Sequence, residues 1–140
     1  MESGVQPQPI GLSQEDRDAL QALSDDSVRM LLDRDWDALL ELVTDDVVLM
    51  PPDEPAVIGK AAVADFMEAF PIMTQFSSSI KSADGRADHA AARGSFDMTV
   101  ETEDGETRMV GKGVGSYRKE GGRWRAATNC WNLDASAQGG

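Results

Sequence analysis

Trp124-Arg125-Ala126-Ala127-Thr128-Asn129-Cys130-Trp131-Asn132-Leu133-Asp134 follows a tight Glu120-Gly121-Gly122-Arg123 turn and reads as a long closing strand. Side chains alternate between faces along a strand, so simple alternation puts Ala127, Asn129 and Trp131 on one side. A large aromatic two residues from an amide is an unusual pair for a plain core face. It suits the wall of a pocket. Cys130 falls on the opposite face and reads as an inert thiol rather than a nucleophile. It is the one cysteine, so neither an internal disulfide nor a thiolate cluster is expected.

Working back from this strand, three more are expected, over about 107–118, 89–101 and 77–82. Gly121-Gly122 and Asp104-Gly105 are hairpin turns, and Asp84-Gly85 is a further turn or a bulge. In the strand over 89–101, Phe96, Met98 and Val100 alternate with Asp97 and Thr99, which puts Asp97 on the outer sheet face. His89, the single histidine, follows Asp88 at a strand start and reads as solvated. With no second histidine or clustered carboxylates beside it, no metal site is expected.

The N-terminal half reads as helical. Ser13 is an N-cap with Gln14, Glu15 and Asp16 behind it, opening a helix to about Arg34. Leu20, Leu23, Ser27, Met30 and Leu31 form its stripe. Ser27 interrupts that stripe, either bonded back to the preceding turn or facing a cavity. Asp35 caps a short helix with Trp36, Leu39, Leu40 and Val43 on one face, and Thr44-Asp45-Asp46 breaks it. Val47-Val48-Leu49-Met50 is a short strand ended by Pro51-Pro52. The stiff loop that follows carries Asp53 and Glu54, as solvated turn residues or as positioned carboxylates. Gly59 precedes a third helix whose stripe is Val63, Phe66, Met67 and Phe70, ended by Pro71. Met67 and Phe70 are core or ligand-facing.

The expected architecture is α+β: three N-terminal helices packed on a curved, mainly antiparallel β-sheet, leaving a cone-shaped pocket. Residues 1–12 read as a mobile tail, 13–134 as one domain and 135–140 as a second flexible tail. The 140 residues carry a net charge of −12. That balance argues against nucleic acid and against anionic membrane surfaces. Arg108, Lys112, Arg118, Lys119, Arg123 and Arg125 cluster late in the chain and read as solvated hairpin edges. No apolar run approaches the roughly 20 residues of a membrane span. With no basic start and no apolar core of a signal peptide, a cytoplasmic protein is expected.

Three blocks of the sequence resemble one superfamily. Asp35-Trp36-Asp37-Ala38-Leu39-Leu40 with Thr44-Asp45-Asp46-Val47-Val48-Leu49-Met50-Pro51-Pro52 is the first. Ile58-Gly59-Lys60-Ala61-Ala62-Val63 is the second. Gly111-Lys112-Gly113-Val114-Gly115-Ser116-Tyr117-Arg118 with Gly122-Arg123-Trp124-Arg125 and Trp131-Asn132 is the third. Together they resemble the nuclear transport factor 2-like superfamily, also called SnoaL-like or ketosteroid-isomerase-like, over about residues 15–134. The resemblance implies the cone fold, pairing of two copies through the outer sheet face, and a small-molecule pocket used without a cofactor. One scaffold hosting many functions does not name a reaction.

Steroid isomerases of this superfamily use a carboxylate base with a tyrosine and a protonated aspartic acid as oxyanion donors. Carried over by position, these groups fall on Met50 or Pro51, on Ser27 and on Val114, and none is kept. Asp53 becomes a base only through a loop shift. If Val114 points inward, Lys112 and Val110 point inward with it. Lys112 then faces Asn129, where relatives carry an acid, and desolvation lowers its pKa. Alternatively Lys112 reaches the rim and pairs with Asp97 or Glu101. In place of the family's groups, Lys112, Asn129 and Asp53 are the candidate catalytic residues of this chain. The pocket lining is expected from Ser27, Trp36, Met50, Met67, Phe70, Val114 and Trp131. Three functions stay open: a cofactor-free acid–base enzyme of isomerase, cyclase or lyase type on a small, largely apolar substrate, a non-catalytic binding module for such a ligand, and a homodimeric interaction domain.

Overall fold

The computed structural model describes residues 11–134; of the expected tails over 1–12 and 135–140, residues 1–10 and 135–140 lie outside the described residues. Helix α1 spans Gln14–Asp33, α2 Trp36–Leu40 and α3 Lys60–Ala69. The strands are β1 Val43–Met50, β2 Val57–Ile58, β3 Met73–Arg86, β4 His89–Thr102, β5 Gly105–Glu120 and β6 Arg123–Leu133. They form one six-stranded sheet in the order β2-β1-β6-β5-β4-β3. Every neighbouring pair is antiparallel except β1 and β6, which run parallel. Three helices on one mixed, mainly antiparallel sheet make the α+β architecture expected from the sequence.

Local chemistry accounts for most boundaries. Ser13 Oγ accepts from the Asp16 amide at 3.0 Å, and Asp35 Oδ1 accepts from the Ala38 amide at 3.2 Å, opening α1 and α2. Arg34 closes α1 in the left-handed region at φ 55°. Between β5 and β6, Gly121 and Gly122 sit at φ 58° and 81°, the pair of positive values a tight hairpin turn requires.

Four expectations change. Leu12 is buried in the core, so the ordered chain begins before Ser13. Thr44-Asp45-Asp46 does not separate α2 from a strand but lies within β1. There β1 bulges against β6: Val43 pairs with Ala126 and Val48 with Thr128. Thr44 is buried, and its hydroxyl donates to Asp46 at 2.8 Å, which gives the bulge its own internal bond. β3 is far longer than 77–82. Asp84-Gly85 falls inside it, and the β3–β4 turn comes at Ala87-Asp88.

α1 lies across the concave face. Leu20 and Leu23 bury there with Leu12, Leu42, Ala90 and Trp124. Each fully buried leucine contributes about 1.5–3 kcal/mol. A second cluster, Val43, Val47, Leu49 and Val63, fixes α3 on β1. The two clusters close the narrow end and one flank of the cone, leaving its middle unfilled.

Candidate functional site

The register decides which side chains enter the cone. On β4 the even positions face inward: Ala90, Ala92, Met98 and Val100 are buried. Their partners on β5 are Tyr117, Gly115, Met109 and Thr107, and Gly94 faces Gly113 between them. Odd positions of β5 therefore point inward. Val110 and Val114 point outward, 38% and 50% exposed, contrary to the expectation that Val114 lines the pocket. Lys112 goes outward with them. Its ammonium pairs with Asp134 at 3.0 Å, neither in the cavity nor on Asp97 or Glu101.

β6 breaks the alternation. Tyr117 pairs with Ala126 and Ser116 with Thr128, so Ala127 is an extra residue without a cross-strand partner. Before this bulge Trp124 and Ala126 face inward. After it the inward pair is Asn129, opposite Gly115, and Trp131, opposite Gly113. Asn129 and Trp131 share a face as simple alternation requires, while Ala127 does not join them.

Two chambers meet inside the cone. The larger, about 190 Å³, is roofed by Leu23, Ser24, Ser27, Val28 and Leu31 of α1. Its floor and walls include Phe76, Ser78, Ile80, Ala92, Gly94, Gly113, Gly115, Tyr117, Ala126 and Asn129. Ser79, Arg93 and Thr128 border it from outward register positions. The smaller chamber, about 110 Å³, is lined by Leu31, Phe66, Met67, Phe70, Met73, Phe76, Phe96, Met98, Asn129 and Trp131. Leu31, Phe76 and Asn129 belong to both.

Glycines make this room. A Cβ on Gly113 would stand 2.5 Å from the Cys130 carbonyl oxygen and 2.9 Å from Trp131 Cβ. Only a hydrogen fits there, so β5 and β6 approach closely beside Trp131. A Cβ on Gly115 would meet the Tyr117 hydroxyl at 3.2 Å, which places that hydroxyl over the glycine floor.

Tyr117 is the group that the sequence reading passed over. Its hydroxyl has no hydrogen-bond partner among the described residues, and burial pushes its pKa up. It stays a protonated donor across ordinary pH. Ser27 satisfies both of its expected descriptions: its hydroxyl donates to the Leu23 carbonyl at 2.8 Å and borders the larger chamber. The donated hydrogen leaves the oxygen as an acceptor. Among the described residues bordering the chambers, Tyr117 and Arg93 are the titratable ones.

The remaining assignments divide. Met67, Phe70 and Trp131 line the smaller chamber, with Phe66 set edge-on to Trp131 at 6.3 Å between ring centroids. Met50 points outward, 39% exposed, beside Cys130. Asp53 occupies the exposed loop after β1 at φ 60° and borders neither chamber. Trp36 also lies outside them. Its indole donates to Glu68 at 3.0 Å and carries the Arg34 guanidinium 5.1 Å above its ring. Arg34 in turn donates to the Glu68 and Phe70 carbonyls at the end of α3. Trp36 thus helps to hold α3, which with its C-cap Phe70 supplies three of the smaller chamber's aromatic and methionine residues. Asp97 is on the outer face as expected, bound to Arg108 through two hydrogen bonds of 2.9 and 2.5 Å. His89 is exposed and meets Asp88 at 3.1 Å.

The helix-roofed cone thus encloses a cavity with an inward glycine floor and an unpartnered phenol. The sequence matches the SnoaL-like domain model over residues 12–127, and the chain belongs to that family. Its fold is similar to a ketosteroid isomerase-like protein from Erwinia carotovora atroseptica, with a TM-score of 0.78 and 23% identity, covering 89% of this chain and 100% of the other. A conserved protein from Planctomyces limnophilus superposes with a TM-score of 0.77 at 19% identity, covering 86% and 99%. An NTF2-like protein with a cystatin-like fold from Novosphingobium aromaticivorans gives 0.69 at 20% identity, covering 89% and 86%. Among curated proteins, none matches the sequence. The fold includes isomerases and dehydratases.

Proposed function

We propose that this protein binds a small, largely apolar molecule in the cone, with Tyr117 as the polar anchor and Trp131 as the apolar wall. The observation that carries the reading is the unpartnered Tyr117 hydroxyl over a glycine floor, inside two joined chambers. Concave, mostly apolar sites with a few convergent polar groups are where small ligands bind. Cofactor-free acid–base chemistry, the alternative for this fold, would fall to Tyr117 as proton donor, because Lys112 and Asp53 lie away from the chambers. A phenol with a raised pKa keeps its hydrogen for a hydrogen bond but is a poor general acid and no base near neutral pH. Binding is therefore the reading preferred over isomerase, cyclase or lyase activity. We also propose that two copies pair through the outer sheet face, where Val110 and Val114 are exposed.

A screen of one- and two-ring compounds by protein-observed NMR tests the pocket. Binders should move the amide signals of Gly113, Gly115 and Asn129, and Trp131→Ala should weaken them at least about tenfold, or ~1.4 kcal/mol. A screen in which no compound perturbs those signals counts against the pocket.

A further inference from the structure

Arg34 stands where a helix ordinarily ends on glycine. It follows α1 in the left-handed region at φ 55°, with its own amide bonded to the Leu31 carbonyl and the Asp35 amide bonded to the Met30 carbonyl. That closing turn favours glycine, because a side chain there carries a conformational cost. An arginine kept in such a position points to a role for its side chain.

The role lies at the end of α3, whose last turn has no basic residue of its own. The Arg34 guanidinium donates to the Glu68 carbonyl at 3.1 Å and to the Phe70 carbonyl at 3.5 Å, a cation placed on the negative end of the helix. It also lies 3.5 Å from the Glu68 carboxylate, which accepts from the Trp36 indole at 3.0 Å. These side chains tie the tip of α3 to the junction of α1 and α2.

The other end of α3 is held on β1. The Gly59 amide donates to the Val47 carbonyl at 2.7 Å, Lys60 pairs with Asp45 at 3.5 Å, and Val63 is the one buried residue of the helix. Beyond Val63, the half-buried Phe66, Met67 and Phe70 face the smaller chamber. The remaining walls of that chamber are paired strands and α1, which buries Leu20 and Leu23. Of the elements around the chamber, α3 is therefore the least firmly packed.

We propose that α3 is a hinged wall that turns on its Val63 root, with Arg34, Trp36 and Glu68 as a latch that keeps its tip over the smaller chamber and whose release admits the ligand. The proposal rests on the pocket reading above and adds how the pocket is entered. Segments with few buried apolar contacts open locally without global unfolding. Glu68 is exposed, and contacts made at a solvated carboxylate are individually weak, as a latch that must release requires.

Arg34→Gly separates the latch from the helix stop. Glycine suits φ 55°, so α1 keeps its closing turn while the tip of α3 loses its cation. Hydrogen exchange followed by NMR should show the Met67, Glu68, Ala69 and Phe70 amides at least about tenfold faster in Arg34→Gly, with the Val63 amide within about twofold of wild type. Glu68→Ala, a change at an exposed helix position, should reproduce the pattern. Unchanged tip amides in both variants, or an equal acceleration at Val63 and along α1, would overturn the hinge. Indole, titrated as an apolar probe, reads the entrance: in Arg34→Gly its association and dissociation rates should rise together by at least about threefold, with Kd within about twofold. A rise in the dissociation rate alone would make α3 a supporting wall and not a door. If indole binds neither protein, the pocket reading falls and the entrance with it, while the exchange rates still decide whether the tip is hinged.

Discussion

Asp16 gathers donors from the β5–β6 hairpin. Its carboxylate accepts from the Trp124 indole and the Lys119 ammonium, each at 3.2 Å. Burial pushes this carboxyl's pKa up, but the bonds from Trp124, Lys119 and Ser13 outweigh it and hold the group below its ordinary range. A depressed folded pKa adds stability that is fully present above the unfolded value, near ~3.9, and lost as pH falls through the folded value. Asp16→Asn should therefore lower Tm at pH 6–7, by roughly 1 kcal/mol of stability. The gap should close as the pH drops below about 4. Calorimetric scans of both proteins from pH 3 to 7 check this, and a gap independent of pH would show that the ionised form has no special role.

The β5–β6 hairpin puts packing and function on the same residues. Its glycines alternate with Lys112, Val114 and Ser116, and the register makes the glycines the inward set. Gly113→Ala forces a methyl against the Cys130 carbonyl and Trp131, and since one obstacle is main chain the strands must part. A cost of about 1–3 kcal/mol is expected. Gly115→Ala meets its nearest atoms at 3.1 and 3.2 Å and should cost less. Urea unfolding of the two variants gives the order, and equal losses would remove glycine crowding as the source of the cost.

Element order, helix starts and the Gly121-Gly122 turn were legible in the sequence because periodicity, capping and turn chemistry are local. The inward face of β5 was not. Placing Val114 inward followed from positional likeness to an isomerase, and that one choice moved Lys112 into the cavity and hid Tyr117. The sequence did hold a corrective signal: Gly111, Gly113 and Gly115 recur at period two beside a tyrosine of the same parity. The bulge at Ala127 left no such mark, because it exists only in the pairing of β6 with β5.

Across the molecule, charge and exposed apolar surface are sorted by face. Several basic side chains of the outer sheet face are held in pairs: Arg108 with Asp97, Lys112 with Asp134, Arg118 with Asp46. Val110 and Val114 stand exposed among them. Two copies each carrying −12 repel one another, so pairing through this face should tighten with salt as screening grows. Sedimentation at 20 and 300 mM salt should find more dimer at the higher value. Val114→Asp should yield monomer while leaving the cavity intact. A wild-type chain that stays monomeric at all concentrations and salts would remove the pairing.

The extra residue at Ala127 has a consequence for how this scaffold diversifies. It acts as a phase shifter: upstream of it even-numbered side chains look into the cone, downstream odd-numbered ones do. Sliding the irregularity past Trp131 would turn an amide and an indole out to solvent and bring the hydroxyl of Thr128 and the thiol of Cys130 in. The strand thus encodes two alternative chemistries in one string of letters, and a backbone offset, with no change of sequence inside the strand, selects which is displayed.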